Sequence, residues 1–145
     1  MATRHFRAGI VAVVERSDGR VCAFERADAP GSWQLPQGGI EVGEEPRDTV
    51  WRELKEETGL TAGDVELVDE HDDWVAYAWP LEVAAGRRGV GQVQRWFTFR
   101  LLDDATEPTP DGSEFVAWQW VERGWLVEHV VAFRREGYRR VLLSR

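Results

Sequence analysis

The sequence predicts an α/β (α+β) fold: a mixed β-sheet sandwiched between helices, in one domain spanning residues 1–145. Three observations predict it. The run from Phe6 to Val14 is almost continuously apolar and β-branched, as expected of a strand covered on both sides. The run from Gln94 to Leu101 alternates, with Gln94, Trp96, Thr98 and Arg100 on one side and Arg95, Phe97, Phe99 and Leu101 on the other, which predicts a half-buried strand. Between them, Pro46 to Thr58 reads as a helix: Pro46 suits a first turn, acids crowd that end, and Gly59 stands where a C-terminal cap belongs.

The remaining elements follow in chain order. Ser17-Asp18-Gly19 supplies turn chemistry, so Val21 to Glu25 is expected to return as a hairpin partner. Trp33-Gln34-Leu35-Pro36-Gln37-Gly38-Gly39 reads as irregular, because Gly and Pro disfavour regular structure. Short strand-like runs cover Val65 to Val68, Trp74 to Trp79, Val93 to Leu102 and Phe115 to Val121, with loops around Gly86 to Gly91 and from Asp103 to Ser113. An amphipathic helix is expected over Phe133 to Leu143.

Composition restricts the function class. The net charge is -8, from 26 acids against 18 bases, a poor basis for gripping long nucleic acid by its phosphates. It suits an enzyme that collects divalent cations and binds one end of a substrate. Arg134, Arg135, Arg139, Arg140 and Arg145 are concentrated at the C-terminus, and either offset a helix dipole or form a phosphate-binding patch. Most of the eight tryptophans are expected in packed surfaces. Cys22, alone and among apolar neighbours, is expected to be a buried thiol. With neither a signal-like N-terminus nor a bilayer-length apolar stretch, the expectation is a cytoplasmic protein with no membrane partner.

The chemistry is concentrated between Gly38 and Leu60. Gly38 is followed by Glu44, then by Arg52-Glu53-Leu54, Glu56-Glu57 and Gly59-Leu60. On the predicted helix Glu53, Glu56 and Glu57 stand at i, i+3 and i+4, so their carboxylates share one face within about 6 Å. Val50 and Leu54 point to a neighbouring face and can anchor the helix to the sheet. Clustered carboxylates repel or take up protons, and a hard divalent cation reverses that cost. The Gly38 carbonyl can serve as a further ligand, and Arg52, one turn before Glu56, can steady the carboxylates. Three glutamates alone would ordinarily be a solvated acidic face. Seven fixed residues with two apolar ones at set spacing should arise by chance on the order of 10⁻⁷ per chain of this length.

That spacing, G-x5-E-x7-R-E-U-x-E-E-x-G-U with U apolar, is the Nudix box, and the chain resembles the Nudix hydrolases at every defined position of it. The resemblance implies the Nudix fold, with the box as a loop-helix-loop, and hydrolysis of a nucleoside diphosphate linked to another group. It implies Mg2+, with Mn2+ as an alternative. Gly38, Glu53, Glu56 and Glu57 would bind the metal, and Glu53 or Glu57 would take the proton from the attacking water with Arg52 as support.

Substrate clues lie outside the box. Trp33 to Gly39, Gly91 to Phe97, Glu114-Phe115 with Trp118 and Trp120, and Val130 to Val141 resemble segments of bacterial RNA pyrophosphohydrolases and asymmetric dinucleoside tetraphosphate hydrolases. By position, the resemblance makes Glu114 a further metal ligand. It places Arg7, Arg26 and Arg134 on phosphates or a second nucleotide, Val131 and Phe133 against a base, and Gln37, Tyr77, Gln92 and Gln94 along the cleft. Arg134 stands where a lysine is common in this group. The expected activity is release of pyrophosphate or phosphate from a 5′-phosphorylated RNA end. The alternatives are cleavage of diadenosine tetraphosphate to ATP and AMP, sanitation of oxidised nucleoside triphosphates, and a Nudix domain kept only for binding. Oligomeric state is open.

Overall fold

The structure, a computed structural model, describes residues 5–87 and 89–144; Arg145 of the basic C-terminus lies outside them. Its centre is the parallel pair β1 (Phe6–Glu15) and β7 (Gly91–Leu101), in register from Phe6 opposite Gly91 to Glu15 opposite Arg100. β2 (Val21–Arg26) returns antiparallel beside β1 after a turn in which Gly19 takes φ +87°, and β8 (Phe115–Val121) extends the sheet beyond β2. β5 (Val65–Glu70) and β6 (Val75–Ala78) both pair with β7.

Helices cover both faces, as the sequence predicts. α1 (Pro46–Thr58) lies on one, where Val50 and Leu54 are fully buried against Ile10, Ala12, Phe97 and Phe99. Each such side chain stabilises the helix-sheet contact by about 1.5–3 kcal/mol. Gly59 ends α1 at φ 74°, its N–H donating to the Lys55 carbonyl. α2 (Leu81–Ala84) is a single turn. α3 (Arg123–His129) and α4 (Arg135–Leu142) cover the other face, burying Leu126, Val127, Tyr138 and Leu142 with Val11, Val13 and Trp96. Among the described residues no helix is long and apolar enough to cross a membrane.

Three expectations are corrected. Trp33 to Gly39 is not irregular: Trp33–Gln34 forms β3 against β2, and Gln37–Gly39 forms β4 against β1. Main-chain pairing needs no apolar side chains, and Pro36 only separates the two pieces. β7 is covered on both faces rather than one, because Trp96 enters the core under α4 while Phe97, Phe99 and Leu101 enter the core under α1. The final helix begins late: Ala132–Arg134 is a 3-10 turn, and α4 starts at Arg135. α3 was not anticipated; its N-cap, Glu122, makes no side-chain capping bond, so the usual start signal is absent.

Candidate active site

The pairing of β4 with β1 brings the segment before the box against α1. A methyl group at Gly38 would collide with the Glu53 carboxylate, so glycine is what lets β4 lie this close to the helix. From β4, the Gln37 N–H donates to Glu57 Oε2 at 3.1 Å. Glu57 is only 2% exposed, and its other oxygen, Oε1, is buried with no donor.

Arg52 organises the outer side of the cluster. Its Nε donates to Glu44 Oε2 at 2.7 Å and its Nη2 to Glu44 Oε1 at 2.9 Å, while Nη1 reaches Glu53 Oε1 at 2.7 Å and Glu56 Oε2 at 3.4 Å. The sequence places Arg52 to steady the carboxylates; in the structure it reaches Glu53 and Glu56 and has Glu44 as its main partner. Glu44 is fixed in turn by the Glu41 N–H at 3.0 Å and the Thr49 hydroxyl at 2.9 Å. The hydrogen bonds from Arg52, then those from Glu41 and Thr49, hold the Glu44 carboxyl down at about 2.

Glu114 comes from the loop before β8, where the Asp111 carboxylate accepts the N–H groups of Ser113, Glu114 and Phe115 at 2.9–3.1 Å. Burial, the facing Glu114 carboxylate and the charge of Glu53 push the Glu57 carboxyl up to about 11. Glu53 is also raised, because burial outweighs its contact with Arg52. Among the described residues no three acidic, histidine or cysteine side chains converge tightly enough to enclose an ion as they stand. Arg52 occupies one oxygen of Glu53 and one of Glu56, and mutual repulsion opposes closer approach of the carboxylates. An orphaned, buried Glu57 oxygen with Glu53 and Glu114 beside it is nevertheless the oxygen-rich, over-negative setting that a hard divalent cation relieves. The residues fit such an ion.

Beside the carboxylates lies a polar cluster containing several of the substrate residues singled out from the sequence. The Tyr77 hydroxyl lies 2.7 Å from the Gln92 side-chain amide, and the Gln94 amide lies 3.1 Å from the same atom. Arg134, on the 3-10 turn, is buried and stacks its guanidinium 5.5 Å from the Phe133 ring and 5.7 Å from the Tyr77 ring. The Gln37 amide oxygen faces Arg134, accepting from Nη2 at 3.1 Å and Nη1 at 3.2 Å; the opposite orientation would aim an NH₂ at a guanidinium. Gln37 thus joins the two clusters, its backbone on Glu57 and its side chain on Arg134. Val131 is partly buried against the α3–α4 core. Arg26 reaches the cluster through Gln34, and the exposed Arg7 flanks Gly39. Glu56, more than half exposed, is the box glutamate least enclosed.

Sequence reasoning missed Gln34 and Asp111 as supports. A glutamine between Trp33 and Leu35 was the available signal for the first; nothing in local pattern marked the second. A separate cleft of about 810 Å³, with Glu15, Arg100, Asp69 and Asp72 among its lining residues, lies away from these residues. Glu15 there is already held by Arg100 and Arg123, each at 2.7 Å.

A NUDIX domain model matches residues 5–141 of the sequence. The chain belongs to the Nudix family. Among its Nudix relatives, an RNA pyrophosphohydrolase of Cereibacter sphaeroides is 39% identical, over 98% of this chain and 91% of that protein. An RNA pyrophosphohydrolase of Halorhodospira halophila is 39% identical over 94% of this chain and 78% of its own length, and Nudix hydrolase 25 of Arabidopsis thaliana is 36% identical over 94% and 84%. The Nudix fold is matched by solved structures. The E. coli dihydroneopterin triphosphate pyrophosphohydrolase superposes with a TM-score of 0.77 at 20% identity, over 97% of this chain and 99% of that one. A C. elegans Ap4A hydrolase binary complex gives 0.69 at 17% identity, over 92% and 93%. At these identities the structures speak for the fold alone.

Proposed function

We propose that this Nudix hydrolase removes pyrophosphate or phosphate from the 5′ end of tri- or diphosphorylated RNA, using Mg2+ or Mn2+. The observation that carries the reading is the bridge made by Gln37, which sets a carboxylate cluster suited to a divalent cation beside a buried arginine suited to a phosphate. The near-full-length likeness to two RNA pyrophosphohydrolases supports the choice of substrate.

Glu53, Glu57 and Glu114, with Glu56 and the Gly38 carbonyl at the margin, would hold the cation. A bound divalent ion supplies neutralisation of charge developing on phosphoryl oxygens and makes a nearby water more acidic. The residues of the chain do the rest. Glu53 or Glu57 accepts the proton of the attacking water; each already accepts one hydrogen bond, Glu53 from Arg52 and Glu57 from the Gln37 N–H, and each keeps a second oxygen for the task. Arg52 keeps Glu53 from rotating away. Arg134, Arg26 and Arg7 bind phosphates, and Phe133 with Val131 offers an apolar surface to a base. Few phosphate contacts are needed to hold a 5′ end, so the charge of -8 is compatible with RNA as substrate.

The test is a product analysis across 5′-triphosphorylated RNA, diadenosine tetraphosphate, 8-oxo-dGTP and plain nucleoside triphosphates. Pyrophosphate or phosphate release from RNA is expected to show the highest kcat/KM. Strong preference for the dinucleotide would sink the RNA assignment.

A further inference from the structure

Arg134 is 5% exposed, yet among the described residues its side-chain hydrogen bonds go to amide oxygens alone, those of Gln34 and Gln37. Its Nε is buried without an acceptor. A buried cation is normally matched by a carboxylate, because desolvation penalises an unpaired charge. Here the matching group is neutral, so the positive charge is retained.

Gln34 is itself 4% exposed on β3. Its Oε1 accepts from Arg134 Nη1 at 2.7 Å and from Arg26 Nη1 at 3.1 Å. One neutral oxygen therefore ties together two guanidiniums that would otherwise repel. Arg26 is held from its other side by Asp28, through Nε and Nη2 at 2.8 Å each, but that carboxylate is largely exposed and can yield to a competing anion. A carboxylate at position 34 would keep the acceptor and cancel the charge; a hydrocarbon would keep the charge and lose the aim.

We infer that Gln34 is a positioning residue: through its single amide oxygen it aims Arg26 and Arg134 as a pair at a phosphate of the substrate remote from the bond that breaks. The inference rests on the polyphosphate-cleaving reading above. It predicts that Gln34 acts on substrate binding and leaves the chemical step to the glutamates.

The test uses Gln34→Met, Gln34→Glu, Arg134→Gln and the double variant Gln34→Met/Arg134→Gln in the full chain. Binding of inorganic triphosphate is measured by calorimetry in a chelating buffer, which isolates the arginines from the metal site. KM and kcat are measured on whichever substrate of the panel is cleaved best. Losing an oriented hydrogen bond to a charged group should weaken triphosphate binding and raise KM by about tenfold in Gln34→Met, with kcat within about threefold of wild type. Gln34→Glu should be weaker still despite restoring an acceptor. In the Arg134→Gln background, Gln34→Met should cost clearly less than it does in wild type, since only the contact with Arg26 is left to lose. Triphosphate binding unchanged in Gln34→Met, tighter binding in Gln34→Glu, or a fall in kcat at constant KM would each overturn the inference, as would wild type failing to bind triphosphate. If Gln34→Met does not fold, the Gln34→Glu result decides by itself. Wild type that ignores RNA but cleaves another phosphoanhydride defeats the RNA reading and leaves this test intact.

Discussion

Arg52 grips Glu44 through two nearly parallel hydrogen bonds, Nε to Oε2 at 2.7 Å and Nη2 to Oε1 at 2.9 Å, and this fork ties the loop before α1 to the helix that carries the glutamates. A lysine cannot reproduce the fork and reach Glu53 at once. Arg52→Lys is expected to lower kcat by about 10–100-fold, the usual effect of losing a group that orients metal ligands. Steady-state kinetics on the preferred substrate check this.

The same pair predicts a pH dependence. Arg52, with the Glu41 N–H and the Thr49 hydroxyl, lowers the Glu44 carboxyl from 4.5 to about 2, so the folded state holds its charged form more firmly than the unfolded chain does. The stability this contributes is present above 4.5 and is lost as pH falls toward 2. Melting temperatures of Glu44→Gln should therefore fall less steeply than those of wild type across that acid range. Parallel melting curves for the two proteins would refute the link.

Glu57 carries the opposite sign. Burial and the neighbouring carboxylates raise its carboxyl from 4.5 to about 11, so its neutral form is the one the folded protein favours. Stability from this group is present below 4.5 and drains away as pH rises toward 11. In chelator, the wild-type melting temperature should decline from pH 5 to 9, Glu57→Gln should remove part of that slope, and added Mg2+ should restore stability to wild type alone. Activity of Glu57→Gln should fall by about 10²–10⁴-fold, the range for loss of a general base. Calorimetric melting with and without Mg2+, paired with turnover, checks both halves.

Gly38 tests the approach of β4 to α1. In Gly38→Ala the new methyl group meets the Glu53 side chain, which can swing aside. The fold should survive while Glu53 loses its place, giving a melting temperature close to wild type and a kcat reduced by about tenfold or more. A variant with full activity would mean that Glu53 is not held where the chemistry needs it.

Legibility followed the range over which the residues interact. α1 was readable to its ends because Pro46 and Gly59 act locally, and the box was readable because its spacing maps directly onto one helix face. The coverage of β7 is not legible in its pattern because Gln94, Thr98 and Arg100 advertise solvent, whereas Trp96 on that same side packs against Tyr138. β3 and β4 were invisible for want of side-chain pattern, since their pairing is made by the backbone. In the substrate cluster, several residues could be named by resemblance, but Gln34 could not be singled out: its role appears only when residues 26, 34 and 134 meet across the fold.

The parallel pairing of β1 with β7 has a consequence for how the molecule is born. Its register joins Phe6 to Gly91 and Gly9 to Gln94, so β1 cannot find its central neighbour until the intervening residues, roughly eighty of them, have been made and have left the ribosome. Contacts of such long sequence separation form slowly, and their loop entropy must be overcome before they are rewarded. Gly38 and Gln37 lean on β1 while Gln92 and Gln94 belong to β7, so truncated or nascent chains carry every box glutamate yet lack the assembled pocket.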